Sequence, residues 1–158
     1  HVSLLGPSIL RGPDQDSIIL SLTECLFLQA EAAQKGLMSG DAKSLYESAI
    51  TASFNQLGAP NVSFYLSQPI ENVGWDASTN KLEAIITQKY AALNSINGYE
   101  LWVEYNRTGY PSDVPVSLLA TTPDRPVRLA YPNSEVTSNS ANLPSQPDVF
   151  NTKVFWAN

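Results

Sequence analysis

Two apolar-periodic runs, joined by a link too short to let them separate, constrain this chain more than any other feature. In the first run Ile19, Leu22, Leu26, Ala30 and Ala33 recur at three- and four-residue steps. That period predicts a helix over residues 17–35, with Gly36 placed to end it. In the second, Ala42, Leu45, Tyr46, Ala49, Ile50, Ser53, Phe54 and Leu57 make one face of a helix over residues 42–57. Asp41 is a good N-cap for it, and Gly58 with Pro60 closes it. The link "GLMSGD" is short, so the two helices should pack antiparallel. The small–aromatic–small spacing of Ala42, Tyr46 and Ala49 matches the second helix of a tetratricopeptide repeat.

Further along, "APNVSFYLSQPIENVGWDAST" reads as a connecting loop with a short extended piece at "VSFYL". A third helix is predicted over residues 81–96, with Leu82, Ile85, Ile86, Tyr90, Leu93 and Ile96 on one face. Asp76, Ser78 and Asn80 before it have the spacing of a calcium loop, but the loop glycine and the twelve-residue frame are missing. Helix capping by Thr79 or Asn80 is the better reading. A fourth helix follows in "INGYELWVEYNRTGYP": Asn97 is the cap, Glu100 sits in capping-box position, Gly109 supplies the stop and Pro111 forbids continuation. From Tyr110 onward the chain is rich in Pro, Ser, Asn and Thr. We expect an irregular arm over residues 110–158, beside a helical part over 17–109, with Leu129, Tyr131, Val149 and Phe150 as anchors and the final "VFW" buried.

Composition narrows the chemistry. The net charge of -6 argues against a nucleic-acid partner, which requires clustered Lys and Arg. Cys25 is the only cysteine, so no internal disulfide exists, and its apolar-periodic setting predicts a small packed hydrophobe. The only histidine is His1, which removes most triads and most metal sites, so we expect no catalytic residue, metal or cofactor. The first residue is His1 and the single methionine is Met38, so we expect a portion of a longer protein.

The aromatic and charged stretch around Trp102 raises a choice between site and scaffold. Glu100 and Glu104 lie four apart on one helix face, and paired carboxylates serve glycosidases. Such pairs usually converge from different elements, however. Capping by Glu100 and an ion pair of Glu104 with Arg107 account for both. Tyr99, Trp102 and Tyr105 fall at spacings that allow a shared face. We therefore read Asn97, Glu100, Trp102, Tyr105, Arg107, Gly109 and Pro111 as structural, with Arg107 holding backbone carbonyls or a carboxylate such as Glu104 or Glu135. Trp75, in the polar loop "ENVGWDAST", is a weak candidate for stacking on a sugar; a ring folded back over the third helix is the competing reading.

"KLEAIITQKYAALNSINGYELWVEYNRTGYP" resembles the signature region of the SusD/RagB family of outer-membrane nutrient-binding lipoproteins. "LTECLFLQAEAAQKG" with "DAKSLYESAITASF" is similar to the family's late helical hairpin. "RPVRLAYPNSE", "NSANLP" and "KVFWAN" resemble its C-terminal run, in the same order. One departure is Asn106, where the family often has the first of two arginines. The resemblance implies a mainly α fold of tetratricopeptide-like hairpins with long loops, and a chain that is the C-terminal portion of a SusD-like domain. It implies a non-enzyme that binds a glycan or related nutrient and passes it to a SusC-like TonB-dependent transporter. It also implies a place on the cell-surface side of the outer membrane, held by a lipid anchor absent from this chain. The family's main ligand surface lies upstream, so binding by this stretch alone is expected to be weak or absent. Two readings stay open beside it. One is a general tetratricopeptide interaction scaffold; the other is a glycosidase.

Overall fold

Side-chain caps decide where the longer helices of this protein begin. In the computed structural model, which describes Gly6 and residues 8–157, the described residues form six helices and no strand. These are α1 (Leu22–Gln34), α2 (Ala42–Leu57), α3 (Val62–Leu66), α4 (Lys81–Leu93), α5 (Gly98–Thr108) and α6 (Asn133–Ser138). The Asp41 carboxylate accepts the Lys43 and Ser44 amides, at 3.3 and 3.1 Å, and so starts α2. The Asn80 side chain accepts the Glu83 amide at 3.2 Å and starts α4, which settles the Asp76–Asn80 spacing as capping. Gly58 ends α2 in the left-handed region, φ 65°, where a Cβ would be costly.

The chain divides into two units, residues 1–104 and 105–158. In the first, α1 packs chiefly on α2 and then on α4. The core is Phe27 and Ala30 from α1, Tyr46, Ala49 and Ile50 from α2, and Ala84 and Ile85 from α4. Each large apolar side chain buried there contributes roughly 1.5–3 kcal/mol. Tyr46 is fully buried, so its hydroxyl needs a partner; it donates to the Val73 carbonyl at 2.8 Å. Its ring meets Phe27 edge-on at 6.3 Å and Trp75 at 5.2 Å. The tetratricopeptide-like spacing thus places Tyr46 and Ala49 where α1 needs a large and a small neighbour.

Four expectations need correction in this unit. Helix α1 starts at Leu22 rather than Ser17, because the Ser21 hydroxyl accepts the Glu24 amide at 3.0 Å and Ser21 itself is extended. Its buried stripe is Thr23, Glu24, Phe27, Ala30 and Glu31, leaving Ile19 and Leu22 exposed. Two carboxylates in that stripe hid it from a reading based on hydrophobicity. Cys25, expected as a packed hydrophobe, is only half-buried. The "VSFYL" piece is helical, with the Tyr65 and Ser67 amides donating to Asn61 and Ser63 carbonyls. Five alternating residues are too few for a period to distinguish strand from helix. Helix α4 stops at Leu93, before Ile96, where Ser95 turns the chain at φ 67°.

In the second unit the Gly109 amide donates to Tyr105 at 2.8 Å, and Gly109 turns at φ 75° as the stop signal predicted. Tyr110–Pro111 is a cis peptide, and Pro111 is buried. The arm is held by its own hydrogen bonds. Val127 donates to the Val149 carbonyl at 2.8 Å, and the Gln146 side chain bridges the Tyr131 backbone, accepting at 3.0 Å and donating at 3.3 Å. A short helix, α6, interrupts it where none was expected. The terminal anchors also differ from expectation: Phe155 is 99 % exposed, and Leu129 and Trp156 are exposed too. The turns that the Pro- and Asn-rich arm forms give these side chains no regular face to insert.

Candidate functional site

The segment before α1 borders an open groove in the first unit. Residues 8–18 form a strap knotted on itself. The Gln15 amide nitrogen donates to the Ile9 carbonyl at 2.7 Å, while its oxygen accepts the Arg11 amide at 2.7 Å. Arg11 then reaches across to the Gln56 carbonyl at the end of α2, at 3.2 Å. The space between the strap, Gln56 and the turn at Ser95 and Ile96 is a groove of about 970 Å³. It carries Asp14, Asp16 and Ser17 on the strap, with Ile9, Pro13 and Ile18 as apolar wall. Nothing in residues 8–18 has a helical or strand period that would signal it.

Beneath α5 lies a buried ionic cluster that sequence reasoning also missed. Lys89 of α4 is 2 % exposed, and its ammonium lies 3.4 Å from the Glu104 carboxylate of α5, itself 8 % exposed. Glu24 of α1 is buried as well. Burial pushes the Glu24 carboxyl above its ordinary value of 4.5; the Lys89 ammonium opposes this, and the Glu100 and Glu104 charges add to it. A signal existed: Lys89 falls three and four residues after Ile86 and Ile85 and four before Leu93, on the face read as core.

The α5 segment has a buried side and an exposed one. Leu101 and Glu104 are buried. Asn97 caps weakly, its side-chain oxygen 3.5 Å from the Glu100 amide. The full capping box does not form, because the Asn97 amide donates to the Leu93 carbonyl at 3.0 Å, and Glu100 stays exposed. The paired carboxylates therefore face different environments, one buried against Lys89 and one in solvent. Tyr99, 58 % exposed, tilts against Trp102 with ring centroids 5.8 Å apart. Tyr105 lies under the Arg125 guanidinium at 5.0 Å, and Arg107 is half-buried in the last turn. Glu135, one partner considered for Arg107, accepts the Asn139 side-chain amide at 2.9 Å.

Trp75 is half-buried on the core, with Tyr46 on it and the Lys81 ammonium 5.3 Å from its ring centroid. Lys81 also donates to the Ser78 carbonyl at 2.6 Å, so ring and loop are held together. Asp76 next to it is exposed and paired with Lys43 at 2.6 Å. Among the described residues no group of three His, Cys, Asp or Glu side chains could hold a metal ion, and no helix is long and apolar enough to cross a membrane.

Comparison with known proteins agrees with this architecture. No curated protein matches the chain in sequence. A chitin-binding SusD homologue from Flavobacterium johnsoniae is 33% identical, with a TM-score of 0.70 over 85% of this chain and 35% of its own. A SusD homologue from Bacteroides thetaiotaomicron is 31% identical, with a TM-score of 0.66 over 85% of this chain and 37% of its own. One from Bacteroides fragilis is 26% identical, with a TM-score of 0.72 over 89% and 35%. The chain thus spans little more than a third of the length of these relatives. A family model described as SusD-like, starch-binding and associating with the outer membrane matches residues 5–132. With the family model matching most of its length and these solved relatives sharing its fold, this chain belongs to the SusD-like family.

Proposed function

We propose that the protein to which these residues belong is a non-catalytic glycan-binding component of the outer membrane. In this reading it captures a polysaccharide of the starch or chitin type and passes it to a SusC-like TonB-dependent transporter. The observation that carries the reading is the family match over residues 5–132, with its starch-binding description. The chitin-binding relative at 33% identity supports a polysaccharide ligand. Attachment on the cell-surface side is through a lipid anchor carried elsewhere in a longer protein, of which this chain is the C-terminal portion, with residues 17–109 its helical part and 110–158 its arm. The α5 motif, Arg107 included, serves as scaffold in this reading, and the engaged ring of Trp75 acts in packing rather than in stacking on sugar.

Glycosidase chemistry fits the geometry less well. It needs two carboxylates across one scissile bond, whereas Glu104 is buried against Lys89 and Glu100 is exposed. The test is isothermal titration of the full-length protein against soluble starch and chitin oligosaccharides, with product analysis of the same mixtures and a search for a co-purifying SusC-like transporter. Binding without turnover is the expected result. Turnover abolished by Glu100→Gln or Glu104→Gln would overturn the non-catalytic reading.

A further inference from the structure

We infer that the groove between the 8–18 strap, Gln56 and the Ser95–Ile96 turn is an accessory carbohydrate subsite, selective for neutral oligosaccharides over anionic ones. The inference rests on the glycan-binding reading above and adds a location and a charge preference to it. At about 970 Å³ the groove is large enough for several sugar rings, at the upper end of the roughly 300–1,000 Å³ of ordinary ligand sites. It is also preformed. The Gln15 knot and the Arg11 bridge to Gln56 fix the strap through the groups they use, so little ordering entropy remains to oppose binding.

What the groove leaves unused has the chemistry of a sugar's partners. Among the described residues the Asp14 and Asp16 carboxylates, the Ser17 and Ser95 hydroxyls and the Gln56 side-chain amide take part in no hydrogen bond or ion pair. A carboxylate accepts from two hydroxyls at once, and such charge-assisted bonds are stronger than neutral ones. Ile9, Pro13, Ile18 and Ile96 offer apolar surface to the C–H faces of the rings. The charge preference follows from the count: two carboxylates stand against one guanidinium, which is already turned to Gln56. A uronate or sulfate brought into the groove meets like charge, whereas a neutral hydroxyl meets an acceptor. The single subsite holds its ligand weakly, with Kd on the order of 1 mM.

The experiment titrates this chain and the full-length protein with maltoheptaose, chitohexaose and an oligogalacturonate of matched length. Backbone amide shifts of the chain are followed by NMR. A neutral oligosaccharide should shift amides of the strap and of Ser95–Ile96, while the galacturonate should not. Asp14→Ala/Asp16→Ala should weaken the neutral ligand about tenfold. In Asp14→Asn/Asp16→Asn, which keeps an acceptor but removes charge, the galacturonate should begin to shift the same amides. Unchanged neutral binding in the alanine pair overturns the groove and leaves the glycan-binding reading intact. So does galacturonate binding by the parent chain, or binding by the full-length protein with no shifts in this chain. If neither chain nor full-length protein binds any of the three, both readings fall.

Discussion

Replacing Lys89 by methionine should cost this fold more than any other single charge change. The side chain is 2 % exposed and its ammonium lies 3.4 Å from the Glu104 carboxylate, with Glu24 buried nearby. At that separation and an effective dielectric constant of about 20, the attraction is worth about 5 kcal/mol before desolvation is counted. Methionine fills a similar volume, so no large cavity forms. Its neutrality, however, removes the cation beside two buried carboxylates, and breaking a buried pair from one side costs about 3–5 kcal/mol. Against a total stability of about 5–15 kcal/mol, that is roughly a fifth of the stability or more. The midpoint of thermal unfolding should fall by about 10 °C, at roughly 2–4 °C per kcal/mol for a chain of this size. Equilibrium urea unfolding followed by circular dichroism measures the lost stability, and a thermal scan the shift in midpoint. The double variant Lys89→Met/Glu104→Gln should recover part of the loss, since one of the two buried carboxylates is then neutral. A Lys89→Met protein within about 1 kcal/mol of the parent would refute the reasoning, because the pair would then be no better than a surface ion pair.

Glu24→Gln should stabilise the protein at neutral pH. The folded-state pKa of Glu24 is raised above the ordinary 4.5, so the unfolded chain releases this proton first and stability falls as pH rises through that window. The gain from the variant should therefore be present at pH 7 and vanish below pH 4.5, as parallel urea titrations at the two pH values would show. Gly74→Ala should destabilise by roughly 1–3 kcal/mol or prevent folding, because the added Cβ would lie 2.2 Å from the Gln68 carbonyl oxygen; an unchanged unfolding midpoint would contradict that contact. Asp41→Ala should cost about 1 kcal/mol through loss of the α2 cap, and Asp41→Asn, which keeps an acceptor, should restore most of it in the same assay.

The helices that were legible in the sequence were those whose evidence is local. Asp41, Gly58, Asn80 and Gly109 act within a few residues of themselves, so the bounds of α2, the start of α4 and the end of α5 follow from chemistry at hand. The small–aromatic–small spacing of α2 likewise set Tyr46 and Ala49 in the core before any partner was known. Where evidence was local but thin, as in the five residues of α3, the period misled. The rest depended on partners distant in the chain. A lysine or glutamate in an apolar stripe is read as surface unless something buries and neutralises it, and for Lys89 that partner stands fifteen residues on, in another helix. The groove is more dependent still. Its strap has no period of its own, and its shape exists only because Arg11 meets the carbonyl of Gln56, forty-five residues away. Helix ends are decided by short-range hydrogen bonds that the sequence displays. Buried charge and concave surface are decided by which elements meet, which tertiary structure alone supplies.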